Sequence, residues 1–170
     1  RTIDPGQRSW DEGVARDPRP IGMTKIASVP SLARIDEPFW TAVMTAGDDQ
    51  VLYLQYNEVV RASGSSTITE LAHAIDTALS AGDVTRLVVD LRYNPGGNDR
   101  TYAPLLDVLT SNPALAPPGA LIALIGRQTF SAAVLLATEL DTEPDAVFVG
   151  EPTGGSPNLY ADPRALTLPN

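Results

Sequence analysis

From Val51 onward the apolar positions fall into two alternating patterns. One is the short continuous run. Val51 to Asn57, Leu87 to Leu91, Ala120 to Ile125 and Val147 to Gly150 are each four to seven residues, rich in β-branched or aromatic side chains and bounded by turn formers. Runs of this kind predict buried strands. The other pattern is the helical stripe. Between Thr67 and Ala81 the apolar residues are Ile68, Leu71, Ala72, Ile75 and Leu79, which share one face at about 100° per residue. Ser66 or Thr67 stands where an N-cap belongs, with Glu70 placed for a capping box. Gly82-Asp83 ends the helix. Thr101 to Thr110, with Leu105, Leu106 and Leu109 inward, and Ala132 to Leu140 predict two further helices. Strands alternating with helices predict an α/β class with largely parallel pairing.

The first part of the chain lacks this rhythm. Residues 1–38 are proline-rich and charged, with one candidate strand at Met23 to Val29 and with Leu32, Phe39 and Trp40 as expected anchors on the core. Phe39 to Gly47 reads as a helical turn or an extended linker, and Gly47-Asp48-Asp49 as a turn. The expected division is a loop-rich lead-in over 1–49 and a core domain over 50–170.

Charge and composition narrow the function. At 43% apolar residues the chain is globular, and a net charge of −9 gives no basic patch to neutralise phosphates. Nucleic acid is therefore not an expected partner. No apolar run reaches the roughly 20 residues of a membrane span. There is no cysteine, one histidine (His73) and one lysine (Lys25). A metal site is not expected from that donor set, and no cofactor motif is present; Gly154-Gly155 lacks the Lys-Ser/Thr ending of a phosphate loop. His73 lies about 140° around its helix from Ile68, on the solvent side, and Lys25 reads as a surface residue. Neither is an expected catalytic base.

Two stretches carry chemistry. Asp90-Leu-Arg-Tyr-Asn-Pro-Gly-Gly97 ends a strand on consecutive glycines, whose amides can approach a ligand closely. Arg127-Gln-Thr-Phe-Ser131 leads into a helix, so Ser131 sits where unpaired N–H groups and the helix dipole favour negative charge. Ser131 is then either an exposed nucleophile beside N–H groups of Gly96, Gly97 and Ala132, or simply a helix N-cap. Asp90 and Arg92 read as a structural pair, and Asn94 and Asn98 as turn formers able to position substrate. Glu151 either orients a base, binds a substrate amine or caps the loop it begins.

These two stretches and Gly150-Glu-Pro-Thr-Gly-Gly155 occur in an order and spacing that resemble the tail-specific (C-terminal processing) serine peptidases, family S41. That family includes the tricorn core protease and the interphotoreceptor retinoid-binding repeats. The resemblance covers about residues 50–160. It implies a crotonase-like spiral of ββα units, Ser131 as nucleophile, Gly97 or Gly96 and Ala132 as oxyanion-hole donors, and a peptide or protein substrate. It also implies an extracytoplasmic location. The sequence departs from the Ser–Lys members at Ser156, which stands where their lysine follows the glycine motif. A base is therefore expected from outside residues 1–170, with little hydrolysis by this segment alone. The same resemblance allows a non-catalytic module that binds lipid or peptide.

Overall fold

The computed structural model describes residues 34–46, 48–63, 66–142 and 146–158. Lys25, Leu32 and the strand expected at Met23 to Val29 lie outside them. The described elements are β1 (Phe39–Ala46), β2 (Asp49–Tyr56), β3 (Ala62–Ser63), β4 (Ser66–Thr67), α1 (Ile68–Ser80), β5 (Arg86–Asp90), α2 (Ala103–Ser111), a 3-10 turn (Pro113–Leu115), β6 (Leu121–Ile125), α3 (Ala132–Thr142) and β7 (Val147–Gly150). Five strands form one sheet in the order β1-β2-β5-β6-β7, and β3 pairs with β4 in a small ribbon. Pairing from β2 through β7 is parallel, and only β1 runs antiparallel. This is the mixed α/β layer that the alternation predicts.

The stretch read as a helical turn or linker is instead β1. It pairs with β2 along its whole length, from Phe39↔Tyr56 to Ala46↔Asp49. Phe39 and Trp40 are buried, as expected of anchors. The preference of Phe, Trp, Thr, Val and Met for a half-buried pleated surface, with a partner strand next in sequence, outweighs any helical tendency. An integral strand thus falls within residues 1–49.

The steps β2→β5→β6→β7 all move the same way across the sheet. Right-handed crossovers stepping in one direction put α1, α2 and α3 on one face. Alternate strand residues supply the inner surface: Leu52, Leu54 and Tyr56; Leu87, Val89 and Leu91; Leu121 and Ala123. All five residues of the α1 stripe are buried, and Ile68, Leu71, Ile75 and Leu79 join this cluster with Leu105 and Leu109 of α2 and Leu136 and Leu140 of α3; Leu106 is partly buried. Each Leu or Ile so buried contributes about 1.5–3 kcal/mol relative to exposure. Thr67 caps α1 with the full capping box to Glu70.

On the opposite face, at the carboxyl end of β5, Asp90 is fully buried. It accepts hydrogen bonds from Arg92 Nε (2.9 Å) and Nη2 (2.6 Å) and from the Tyr53 hydroxyl (2.6 Å). A buried carboxylate is tolerable only when paired and hydrogen-bonded in this way. Burial, together with the Asp90 bond, drives the Tyr53 phenol far above its ordinary value, so it stays a neutral donor. Asp90 and Arg92 are the structural pair the sequence suggests.

Candidate active site

All four connections that leave the carboxyl ends of β2, β5, β6 and β7 meet at one edge of the sheet, the edge where open α/β sheets place their ligands. They are held together by a short series of hydrogen bonds. Val59, after β2, bridges Gly97, after β5: its N–H donates to Gly96 O (2.8 Å) and its carbonyl accepts from Asn98 N (3.0 Å). Phe130, after β6, donates to Asn94 O (3.0 Å). Gly154, after β7, donates to Thr129 O (3.0 Å), and Glu151 N donates to Ile125 O (3.2 Å). The three stretches that carry the chemistry are therefore neighbours in space.

The Pro-Gly-Gly turn approaches the Ser131 loop with no room for side chains. A Cβ on Gly96 would lie 2.6 Å from Ser131 Cβ and 3.0 Å from Ala132 N. A Cβ on Gly97 would run into the Val59 carbonyl oxygen, and both glycines have positive φ, 106° and 141°. Only glycine meets both demands.

Ser131 has φ 52°, and no other non-glycine among the described residues has a positive φ. A non-glycine residue in that region costs about 1–3 kcal/mol, and such costs cluster at functional sites. Its conformation is not that of an N-cap, which is extended. The first-turn amides of Ala133 and Val134 donate to the main-chain carbonyls of Phe130 (3.1 Å) and Ser131 (2.9 Å). Among the described residues the Ser131 hydroxyl makes no hydrogen bond. The N-cap alternative is thus not what this serine does. Ala132 is the first residue of α3, and its N–H has no acceptor among the described residues. The same holds for the exposed Gly97 N–H. The half-buried Ser131 thus lies against the Gly96 turn and next to the Ala132 N–H, and neither the Ala132 nor the Gly97 N–H has an acceptor among the described residues.

Other residues singled out by sequence fall into different places. Asn94 is fully buried, so it does not touch a substrate; its amide donates to Tyr56 O (2.8 Å) and accepts from Gly96 N (2.8 Å). Asn98 forms its own turn, accepting from Arg100 N. Among the described residues the Glu151 side chain caps nothing; it pairs with Arg127 at 3.3 Å where both are well exposed, a contact worth little in water. Ser156 is exposed, directly after Gly155, which packs on the Phe130 ring and Val134. His73 is exposed on α1, opposite the buried stripe, as its angle predicts. Among the described residues no group of three or more His, Cys, Asp or Glu forms a metal site.

Sequence reasoning missed Thr129. It is fully buried, donates to Leu91 O (2.8 Å) and accepts from Gly126 N (3.0 Å), tying the β5 and β6 exits together. The one available signal is a hydroxyl residue two positions before Ser131 inside a turn.

A known structure shares this arrangement of strands and helices. The chain superposes on the photosystem II D1 C-terminal processing protease with a TM-score of 0.55, at 22% identity over 68% of this chain and 36% of that one. Over this part of its length the chain shares the fold of that protease. Two further structures lie at lower scores. A protein from Bacteroides fragilis assigned as an S41 protease gives a TM-score of 0.48 at 20% identity, over 70% of this chain and 40% of that one. A protein from Parabacteroides merdae assigned as a peptidase gives 0.49 at 18%, over 70% and 45%. The chain therefore spans less than half the length of each of these structures. No family model and no curated protein matches it. No helix among the described residues is long and apolar enough to cross a membrane.

Proposed function

We propose that this chain is part of a serine peptidase of the tail-specific S41 family, built on its crotonase-like spiral, with Ser131 as nucleophile. The observation that carries the reading is the Ser131 main chain at φ 52°, packed on the Gly96 turn, with the N–H groups of Ala132 and Gly97 lacking an acceptor among the described residues. The Ser131 hydroxyl attacks a peptide carbonyl carbon. The oxyanion that develops is held by Gly97 N–H and Ala132 N–H, two fixed donors whose orientation costs nothing at the moment of reaction. Collapse releases the amine half of the peptide and leaves an acyl-enzyme on Ser131, which water hydrolyses.

A serine hydroxyl needs a base. His73 is on the far side of α1, and Ser156 is no base at neutral pH. The base comes from a part of the full-length protein outside residues 1–170, consistent with this chain's share of its structural neighbours. The substrate is a peptide or protein, and the setting is extracytoplasmic, both on family resemblance.

Among the described residues no histidine or lysine stands beside Ser131, which favours one second reading, a module that binds lipid or peptide at the same site without cleaving it. Hydrolysis of an unstructured peptide by the full-length protein separates the two. Cleavage that disappears in Ser131→Ala supports the peptidase. Binding of the peptide with no cleavage, unaffected by Ser131→Ala, supports the binding module.

A further inference from the structure

A turn with two consecutive glycines offers two adjacent N–H groups, and both are candidates for the oxyanion hole. In this structure one of them, Gly96 N–H, is taken by the Asn94 side chain, and the other, Gly97 N–H, has no acceptor among the described residues. We infer that Asn94 is the positioning residue that makes this choice: it turns the Gly96 N–H inward and leaves the Gly97 N–H as the donor. The inference rests on the reading of Ser131 as nucleophile and specifies how the site beside it is set.

The wiring is complete at Asn94. Its Oδ1 accepts from Gly96 N at 2.8 Å, an Asx turn that uses up that amide. Its Nδ2 donates to Tyr56 O at 2.8 Å, the last residue of β2. Its main-chain N–H donates to Leu91 O (3.0 Å), and its main-chain carbonyl accepts from Phe130 N (3.0 Å), one residue before Ser131. The side chain is 0% exposed. It therefore acts on the reaction through the Gly96-Gly97 turn and not by contact with substrate. Gly96 is buried with its carbonyl on Val59 N, whereas Gly97 is exposed and its N–H has no acceptor among the described residues. The Asn94 side chain thus ties the glycine turn to the end of β2, and its main-chain carbonyl holds the nucleophile loop beside that turn. Removing it frees the turn to rotate and shifts the two relative to each other. A misplacement of about 1 Å at such a site costs on the order of 10²-fold in rate.

The test uses the full-length protein, a fluorophosphonate probe and amide hydrogen exchange at Gly96 and Gly97. Wild type, Asn94→Ala and Asn94→Ser are compared, with melting curves to report folding. In wild type the Gly96 amide is expected to be protected and the Gly97 amide to exchange freely. Asn94→Ala is expected to expose the Gly96 amide and lower the maximal labelling rate about 10²-fold, with the concentration for half-maximal rate unchanged. Asn94→Ser keeps an acceptor for the N–H two residues on. It is expected to retain Gly96 protection and recover part of the rate, and it decides the matter if the alanine variant does not fold. Labelling of wild type with an unprotected Gly96 amide overturns the donor assignment alone. So does a full labelling rate in either variant once its Gly96 amide is exposed. No labelling of wild type while Gly96 stays protected overturns the peptidase reading, and the donor assignment falls with it.

Discussion

Ser131 concentrates the cost of this site in one residue. Its positive φ is held by the packed Gly96 turn on one side and the start of α3 on the other. Glycine adopts that conformation without a Cβ penalty. Ser131→Gly is therefore expected to be more stable than Ser131→Ala by about 1 kcal/mol, and both are expected to be unreactive. Urea melts of the two variants check it; equal stabilities would mean the serine main chain carries no strain. The serine itself was legible in the sequence, from a turn between an apolar run and a helix. Its strain was not, because φ at position 131 is imposed by Gly96, 35 positions away in sequence.

At the scale of elements, local signals read best. Helix α1 has its capping box, its five-residue stripe and its glycine stop all within one segment, and the structure keeps each of them. The Glu70 carboxyl is held below its ordinary value of 4.5 by hydrogen bonds from the Thr67 N–H and hydroxyl. A depressed folded-state value means the stabilisation is present above that ordinary value and is lost as pH falls below it. Glu70→Gln is expected to remove this component of the acid-side loss, so its melting temperature should fall less than that of wild type on acidification. Parallel acid-side slopes for the two proteins would contradict it. Strand β1 shows the opposite case. Its sequence suits a strand only beside β2, and pairing depends on a partner that local pattern does not reveal. Thr129 is similar: its acceptor, Leu91 O, is 38 positions away. Thr129→Val keeps the shape and leaves the Gly126 N–H unpaired in a buried place, while the Leu91 carbonyl keeps the Asn94 N–H. The expected cost is about 1–3 kcal/mol for the group left unsatisfied, read as a lower denaturation midpoint together with slower labelling of Ser131. An unchanged midpoint would show that the Gly126 N–H finds another partner.

At the scale of the molecule, the sequence motifs foretold the convergence because a parallel sheet delivers every strand exit to one edge. Motif order along the chain then becomes adjacency in space. The hydrogen bonds that set the geometry at that edge were not legible, since they join positions far apart through side chains that also suit ordinary turns. The fold shared with a processing protease, the positive φ of Ser131 and the Gly97 and Ala132 N–H groups without an acceptor among the described residues support the proposal of a reactive hydroxyl, whose base that proposal places outside residues 1–170. The most direct measurement is fluorophosphonate labelling of the full-length protein and of residues 1–170 alone, with Ser131→Ala as control. The expected result is labelling of the full-length protein only, abolished by Ser131→Ala. Labelling of the isolated segment would contradict an external base, and no labelling of the full-length protein would contradict the catalytic role of Ser131.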